Sequence, residues 1–422
     1  MATLTIKEFS CIDEAEIRLS RLTVLIGPQA SGKSVISKLV YFFNDIAIRQ
    51  YRELEEGETL DQFEKLVAED FKKWFPPSAW GPRKFEISFR AGTYFVKIVR
   101  KGTKKKEMTT DAVTVNFSPW FRDEYTAVLK VVKEDLADRG RPDMPPDRFW
   151  RVRVAARERF QKELSTDYVN WQLFVPAGRS FFTSVGKAIA AFEYSGMLDP
   201  LTVRFGRLFT SIRDSRQRRV LRGRRPTEQQ QRQRNEMMKQ LFGGNITFVR
   251  DQEYVVSDDG RKIPFSSLSS GQQELLPLWL SIEYAQEGAD RSMVYIEEPE
   301  AHLFPTAQSQ VVEFLAAVIS ERDARMVVTT HSPYVLTQIN ILIKAGMLAK
   351  QFPQARPDIQ KVVPARCWLQ PGSTVAYAIV GRRVIQITDD DGLLDGDYLD
   401  EVSGYLEREF SSLINIEIKN AS

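Results

Sequence analysis

The chain of 422 residues has only two cysteines, Cys11 and Cys367, and two histidines, His302 and His331. Two cysteines so far apart exclude a disulfide framework and a zinc site, and they fit a reducing, cytoplasmic setting. No apolar run approaches the roughly 18 residues needed to cross a bilayer, so no membrane partner is expected. The first residues are too polar for a secretory leader, and Ile6 to Phe9 already have the pattern of a strand. Net charge is only +3, so no global field draws the chain to nucleic acid; any such affinity must come from a local patch. No repeat of fixed period is visible. Hydrophobic content of 43% and charged content of 27% are ordinary for a globular protein, and the length calls for two or three lobes.

Against this plain background one stretch stands out. Leu22 to Ile26 reads as a buried strand, and Gly27, Pro28, Gln29, Ala30, Ser31, Gly32, Lys33 and Ser34 follow as a loop opening a helix. The loop has glycines at its first and sixth positions, then lysine and serine. Glycines let the backbone turn so that its N–H groups face a phosphate; Lys33 can reach the outer phosphates and the Ser34 hydroxyl can ligate Mg²⁺. The following helix adds the positive end of its dipole. Val35, Ile36, Leu39, Val40 and Phe43 recur at helical spacing and form its core-directed face. The plain alternative is a chance glycine-rich turn, which a strand before and a helix after argue against.

Three further stretches complete a set. Met293 to Ile296 is a continuous apolar run, as in a parallel strand covered on both faces, and it empties into Glu297 and Glu298. Open α/β sheets place ligands at that end. Glu297 is expected in the Mg²⁺ shell, and Glu298 is expected to orient and polarise an attacking water. Arg325 to Thr330 is another short buried strand and ends in His331, which could donate to a γ-phosphate or position the water. Finally, Leu268, Ser269, Ser270, Gly271 and Gln272 precede an apolar helix and form a second anion seat at a helix N-terminus. Two seats but one Lys33 suggest a dimer, in which the 268–272 turn of one subunit caps the nucleotide of the other.

In this order, the four motifs resemble the ABC-type ATPase heads, in the branch that holds SMC proteins, the break-repair ATPases and the overcoming-lysogenization-defect (OLD) family. Ile26 to Ser34 matches the Walker A loop, with Ala30 where a glycine is usual. Leu268 to Gln272 matches the signature, with Ser270 replacing a glycine. Tyr295 to His302 matches the OLD-type Walker B and D-loop, and Thr330 to Pro333 the switch histidine. The resemblance implies an α/β P-loop NTPase head with an N-terminal antiparallel β subdomain and a helical insertion. It also implies ATP and Mg²⁺ as ligands, Glu298 and His331 as catalytic residues, Ser34 and Glu297 as metal ligands, and nucleotide contacts from residues 27–34 and 269–272. A homodimer or higher homo-oligomer closing on ATP is implied too, as is a separately encoded effector nuclease or toxin in bacterial anti-phage defence. A nucleotide-gated scaffold holding a toxin inactive, or a DNA-repair head, are the alternatives. Residues 1–120 are expected to form the first part of the head, 121–245 a helical insertion, 246–350 the second part and 351–422 a closing β/α region. No Toprim nuclease domain is expected in that tail, although Asp389, Asp390 and Asp391 cluster there.

The linking regions carry weaker signals. Phe85 to Phe89 and Tyr94 to Val99 read as a hairpin through Gly92, and Lys101 to Lys106 as a solvated basic loop. Residues 120–170 read as mainly helical, and Trp171 to Pro176 as a buried strand leading to Arg179. Arg179 could read phosphate, and Gln172 is a candidate for the family's Q-loop glutamine. From Arg204 to Arg234 there are eleven arginines against two acids, a local balance of +9. A solvated arm, a phosphate-binding patch over Arg213–Arg225 and a seat for an acidic partner all fit that composition, and no aromatic between Ile212 and Arg234 is available to stack bases. Val375 to Val380 and Arg383 to Ile387 read as strands, and Tyr398 to Phe410 as a helix.

Overall fold

The computed structural model of the protein describes residues 1–102, 109–137, 148–185, 198–217, 227–249, 252–287, 291–321 and 324–395. Two chemically different kinds of strand make one sheet. β1 (Thr3–Phe9), β2 (Ile12–Arg18), β4 (Glu86–Ala91), β5 (Tyr94–Gly102) and β6 (Thr109–Phe117) form an antiparallel wing. β3 (Leu22–Ile26), β7 (Trp171–Val175), β11 (Ser292–Glu297), β12 (Ala324–Thr330) and β13 (Thr374–Val380) form a parallel block. The order across the sheet is β6-β5-β4-β1-β2-β14-β13-β3-β12-β11-β7, where β14 (Arg383–Gln386) hairpins back from β13 and meets β2 at the pairing of Arg383 with Glu14. β8 (Gly244–Val249), β9 (Gln252–Ser257) and β10 (Lys262–Pro264) make a separate small sheet.

Burial explains the division. Every residue of β3 and β11 is buried, because helices cover both faces of the parallel block. Side chains alternate between two cores. Leu22, Val24 and Ile26 of β3, with Val294 and Ile296 of β11, point into one core. Leu25, Met293 and Tyr295 point into the other. The helix after the phosphate loop, Lys33–Glu55, buries Ile36, Leu39, Val40 and Phe43 in the core shared with the wing. The helix after the Leu268 turn, Ser270–Glu287, buries Leu275, Leu276, Leu278 and Trp279 in the opposite core. The two anion seats therefore belong to helices on opposite faces of one sheet.

The wing alternates buried and part-exposed residues, as a one-sided antiparallel sheet should. A stack of Phe63, Phe117, Phe121 and Tyr125 closes it against the helices Leu60–Trp74 and Pro119–Ala137. β6 was not foreseen, although its Val113, Val115 and Phe117 alternate. The phosphate-loop helix runs to Glu55, because Tyr51 and Leu54 still have core to fill. Within 121–245, β7 pairs in parallel with β11 over Trp171–Val175, so that span supplies an edge strand of the main sheet as well as helices. The expected helix Tyr398 to Phe410 and most of the Lys101 to Lys106 loop lie outside the described residues.

Candidate nucleotide site

β3 ends at Ile26 and hands the chain to the phosphate loop. Gly27 sits so close to β13 that a Cβ there would lie 3.2 Å from Ile379. Gly32 has φ +109°, and a Cβ on it would lie 2.9 Å from Cys11 Sγ. Ala30 also sits left-handed at φ 57°, where a side chain costs roughly 1–2 kcal/mol; the Ala-for-Gly departure is tolerated at that expense. Pro28, Gln29 and Ala30 are exposed, and Ser34 is exposed at the helix start.

Lys33 is buried and folded over its own loop, donating from Nζ to the carbonyls of Gly27 and Pro28, both at 2.8 Å. Burial pulls its ammonium below the usual lysine range, opposed by the carboxylates of Glu298, Glu300 and Glu297. Nζ also lies 3.3 Å from His331 Nδ1, and His331 Nε2 lies 3.0 Å from Glu298 Oε1. An ammonium has only protons to give, so Nδ1 is the acceptor and Nε2–H donates to Glu298. The result is a polar chain from Lys33 through His331 to Glu298 across the C-terminal ends of β3, β12 and β11.

The two carboxylates after β11 differ. Glu297 is buried; its Oε2 accepts from Ala177 N at 3.3 Å, whereas Oε1 has no hydrogen-bond partner among the described residues. A buried carboxylate oxygen without a donor fits a divalent cation, and Ser34 supplies an exposed hydroxyl of the matching kind. Glu298 is part-exposed, lies at φ 45° and can face solvent water. Glu300 was not singled out from sequence, yet its Oε1 accepts from Thr330 Oγ1 at 2.6 Å and from His331 N at 2.8 Å, and so holds the histidine in place.

Ser269 and Gln272 cap the helix reciprocally: Ser269 N donates to Gln272 Oε1 at 3.2 Å, and Gln272 N to Ser269 Oγ at 3.4 Å. Gln272 Nε2 further donates to Phe242 O, so this side chain is committed to shaping the turn, while Ser269 and Ser270 are exposed. Gly271 presses on the turn after Glu300, where a Cβ would come 2.6 Å from His302 O. His302 itself is exposed and contributes that backbone contact.

Two weaker expectations are corrected. Arg179 does not face a phosphate: its guanidinium is wholly buried and donates to main-chain carbonyls. Gln172 is used inside the fold, donating to Tyr41 O and accepting from Tyr295 OH. Of the arginine-rich segment, Arg204 stacks on Trp74 and pairs with Asp45, and Arg213 pairs through its guanidinium with the buried Glu253. Residues 218–226 lie outside the described residues, and at the near end of the Arg213–Arg225 patch Arg213 is already paired. Among the described residues no His, Cys, Asp and Glu cluster forms a further metal site, and no helix is long and apolar enough to cross a membrane.

The two thiols offer a check on the loop. Cys11 is half-buried under Gly32, whereas burial pushes the Cys367 thiol up to about 11. A maleimide at neutral pH should label Cys11, spare Cys367 and weaken ATP binding, as read by intact mass and nucleotide titration. Equal labelling of both thiols in folded protein would contradict this packing.

A search of curated proteins found no match to the chain. Among solved structures, the chain is similar to the SMC head domain from Thermotoga maritima, with 13% identity, 91% of this chain and 97% of that chain covered, and a TM-score of 0.34. It is also similar to an SMC head bound to the C-terminal winged-helix domain of ScpA, with 13% identity, 91% and 96% covered, and a TM-score of 0.38. A third is an SMC head with an extended coiled coil bound to the C-terminal domain of ScpA derived from Pyrococcus furiosus, with 11% identity, 97% and 99% covered, and a TM-score of 0.35. The model of a family described as "AAA domain, putative AbiEii toxin, Type IV TA system" matches residues 22–337, from β3 through the start of the helix after His331. That span takes in all four motifs and three quarters of the chain, and the chain belongs to this family: it carries an AAA-type P-loop ATPase domain.

Proposed function

We propose that two copies of the chain close on ATP, and that closure and hydrolysis regulate a separate effector, in bacterial anti-phage defence. The observation that carries the reading is the Lys33–His331–Glu298 chain at the ends of three parallel strands. An incoming γ-phosphate would compete for Lys33, whose Nζ now rests on loop carbonyls and His331. Loop N–H groups and the helix dipole would hold the phosphates. Glu298, held by His331, would accept a proton from the attacking water. Ser34 and Glu297 would hold Mg²⁺, which supplies charge neutralisation on the phosphates.

The opposite-face location of the two anion seats supports assembly across a dimer. Ser269, Ser270 and the turn's N–H groups would meet the nucleotide held by Lys33 of a second copy. The resemblance to OLD-like proteins supports an ATPase in the cytoplasm that is paired with an effector nuclease or toxin. The family description, which names a toxin–antitoxin system, favours a second reading: a nucleotide-gated scaffold that restrains a toxin. A DNA-repair head working through Arg213–Arg225 would instead show a salt-dependent gel shift.

The test expresses the chain with the product of its neighbouring gene in a phage-sensitive host. Plaque formation should fall, and Lys33→Ala should restore it. Equal plating with and without the pair would remove the defence reading. Toxicity of the neighbour alone, relieved by this chain and by Lys33→Ala alike, would favour restraint without turnover.

A further inference from the structure

Arg179 is the one charged side chain with no exposed surface among the described residues. Burying a guanidinium costs several kcal/mol unless its donors are all met. They are met by main-chain oxygens: Nη1 donates to Pro176 O in its own loop at 3.3 Å, and the other donors reach two further elements. On one side Nη1 donates to Glu297 O at 2.9 Å, and Nη2 to Glu298 O at 3.2 Å and Pro299 O at 3.5 Å. Those are consecutive carbonyls of the turn where β11 ends, and Glu298 stands there at φ 45°. On the other side Nε donates to Glu274 O at 2.8 Å, in the first turns of the helix Ser270–Glu287. The Glu274 carboxylate stands 3.8 Å from Nε and accepts from Ser180 Oγ at 2.6 Å. One side chain thus spans the helix that opens at Ser270 and the backbone that carries Glu298.

A hydrophobic residue could fill the same space. What only the planar fork can do is fix three successive carbonyls while gripping a helix turn. We propose that Arg179 is a positioning residue for hydrolysis, which holds Glu298 in its left-handed setting and ties that setting to the helix bearing Ser269 and Ser270. Movement of that helix when its N-terminus meets a second copy's nucleotide then reaches the Glu298 of the same subunit. This inference rests on Glu298 being the residue that activates water.

The test is a double-mutant cycle on steady-state and single-turnover ATP hydrolysis. Arg179→Lys keeps the charge and loses the fork; kcat should fall at least about tenfold, with KM for ATP and ATP-induced dimer mass unchanged. Glu274→Gln, which keeps the Ser180 contact, should lower kcat in the same direction and carries the test should Arg179→Lys not fold. In a Glu298→Gln background neither change should lower the residual rate further, because the group it positions is already gone. Wild-type kcat in both variants, a loss confined to KM, or an equal fold-loss in both backgrounds would overturn the inference. Absence of turnover in the unaltered protein would instead refute the Glu298 reading beneath it.

Discussion

Glu298→Gln should lower ATP turnover by about 10²–10⁴-fold while leaving ATP binding intact. The amide keeps an oxygen for the His331 Nε2–H but cannot take a proton from water. The side chain is part-exposed and the left-handed backbone is held by Arg179 and by Glu298 N donating to Thr329 O, so the fold should not change. With hydrolysis stalled, ATP-bound dimers should accumulate, read by light scattering as a doubled mass. The same variant separates the two functional readings. If turnover is the purpose, protection against phage is lost; if gating suffices, the variant locks one state and still engages its partner. A variant that hydrolyses ATP at the normal rate would remove Glu298 from the chemistry.

Ser270→Arg should abolish turnover for a different reason. Ser270 is exposed at the first position of its helix, outside both cores, so arginine is accommodated without repacking. Its own subunit's Lys33 belongs to a helix on the other face of the sheet, and ATP affinity of the isolated subunit should be unchanged. The long side chain would instead block a second copy's nucleotide from the turn. Analytical ultracentrifugation with ATP and Mg²⁺ should show monomer where the unaltered chain shows dimer. A dimer with normal turnover would put the turn away from any nucleotide.

The parts legible in the sequence share a physical cause. β3 and β11 are uninterrupted apolar runs because both faces are covered, and each delivers its loop at the C-terminal edge where ligands sit. The loop chemistry of residues 27–34 and the carboxylates after Ile296 are local, so spacing alone exposes them. What escaped depends on contacts between distant segments. Arg179 was visible as a charge at a strand end, but only the pairing of β7 with β11 turns it from solvent towards the carbonyls of residues 297–299. Glu300 looked like one more acid in a loop until Thr330 and His331 were brought to it by the parallel pairing of β11 with β12. Gln172, beside the right strand, was claimed by Tyr41 and Tyr295, which no local pattern announces.

Complementation between two inactive variants tests the composite site most directly. Lys33→Ala and Ser270→Arg should each be inactive alone. When they are mixed, a heterodimer has one site of two that joins an intact Lys33 to an intact Ser270, so turnover should return, at about half the unaltered activity per heterodimer. Failure of the mixture to regain any turnover, with heterodimers present, would contradict a nucleotide held between two copies of this chain.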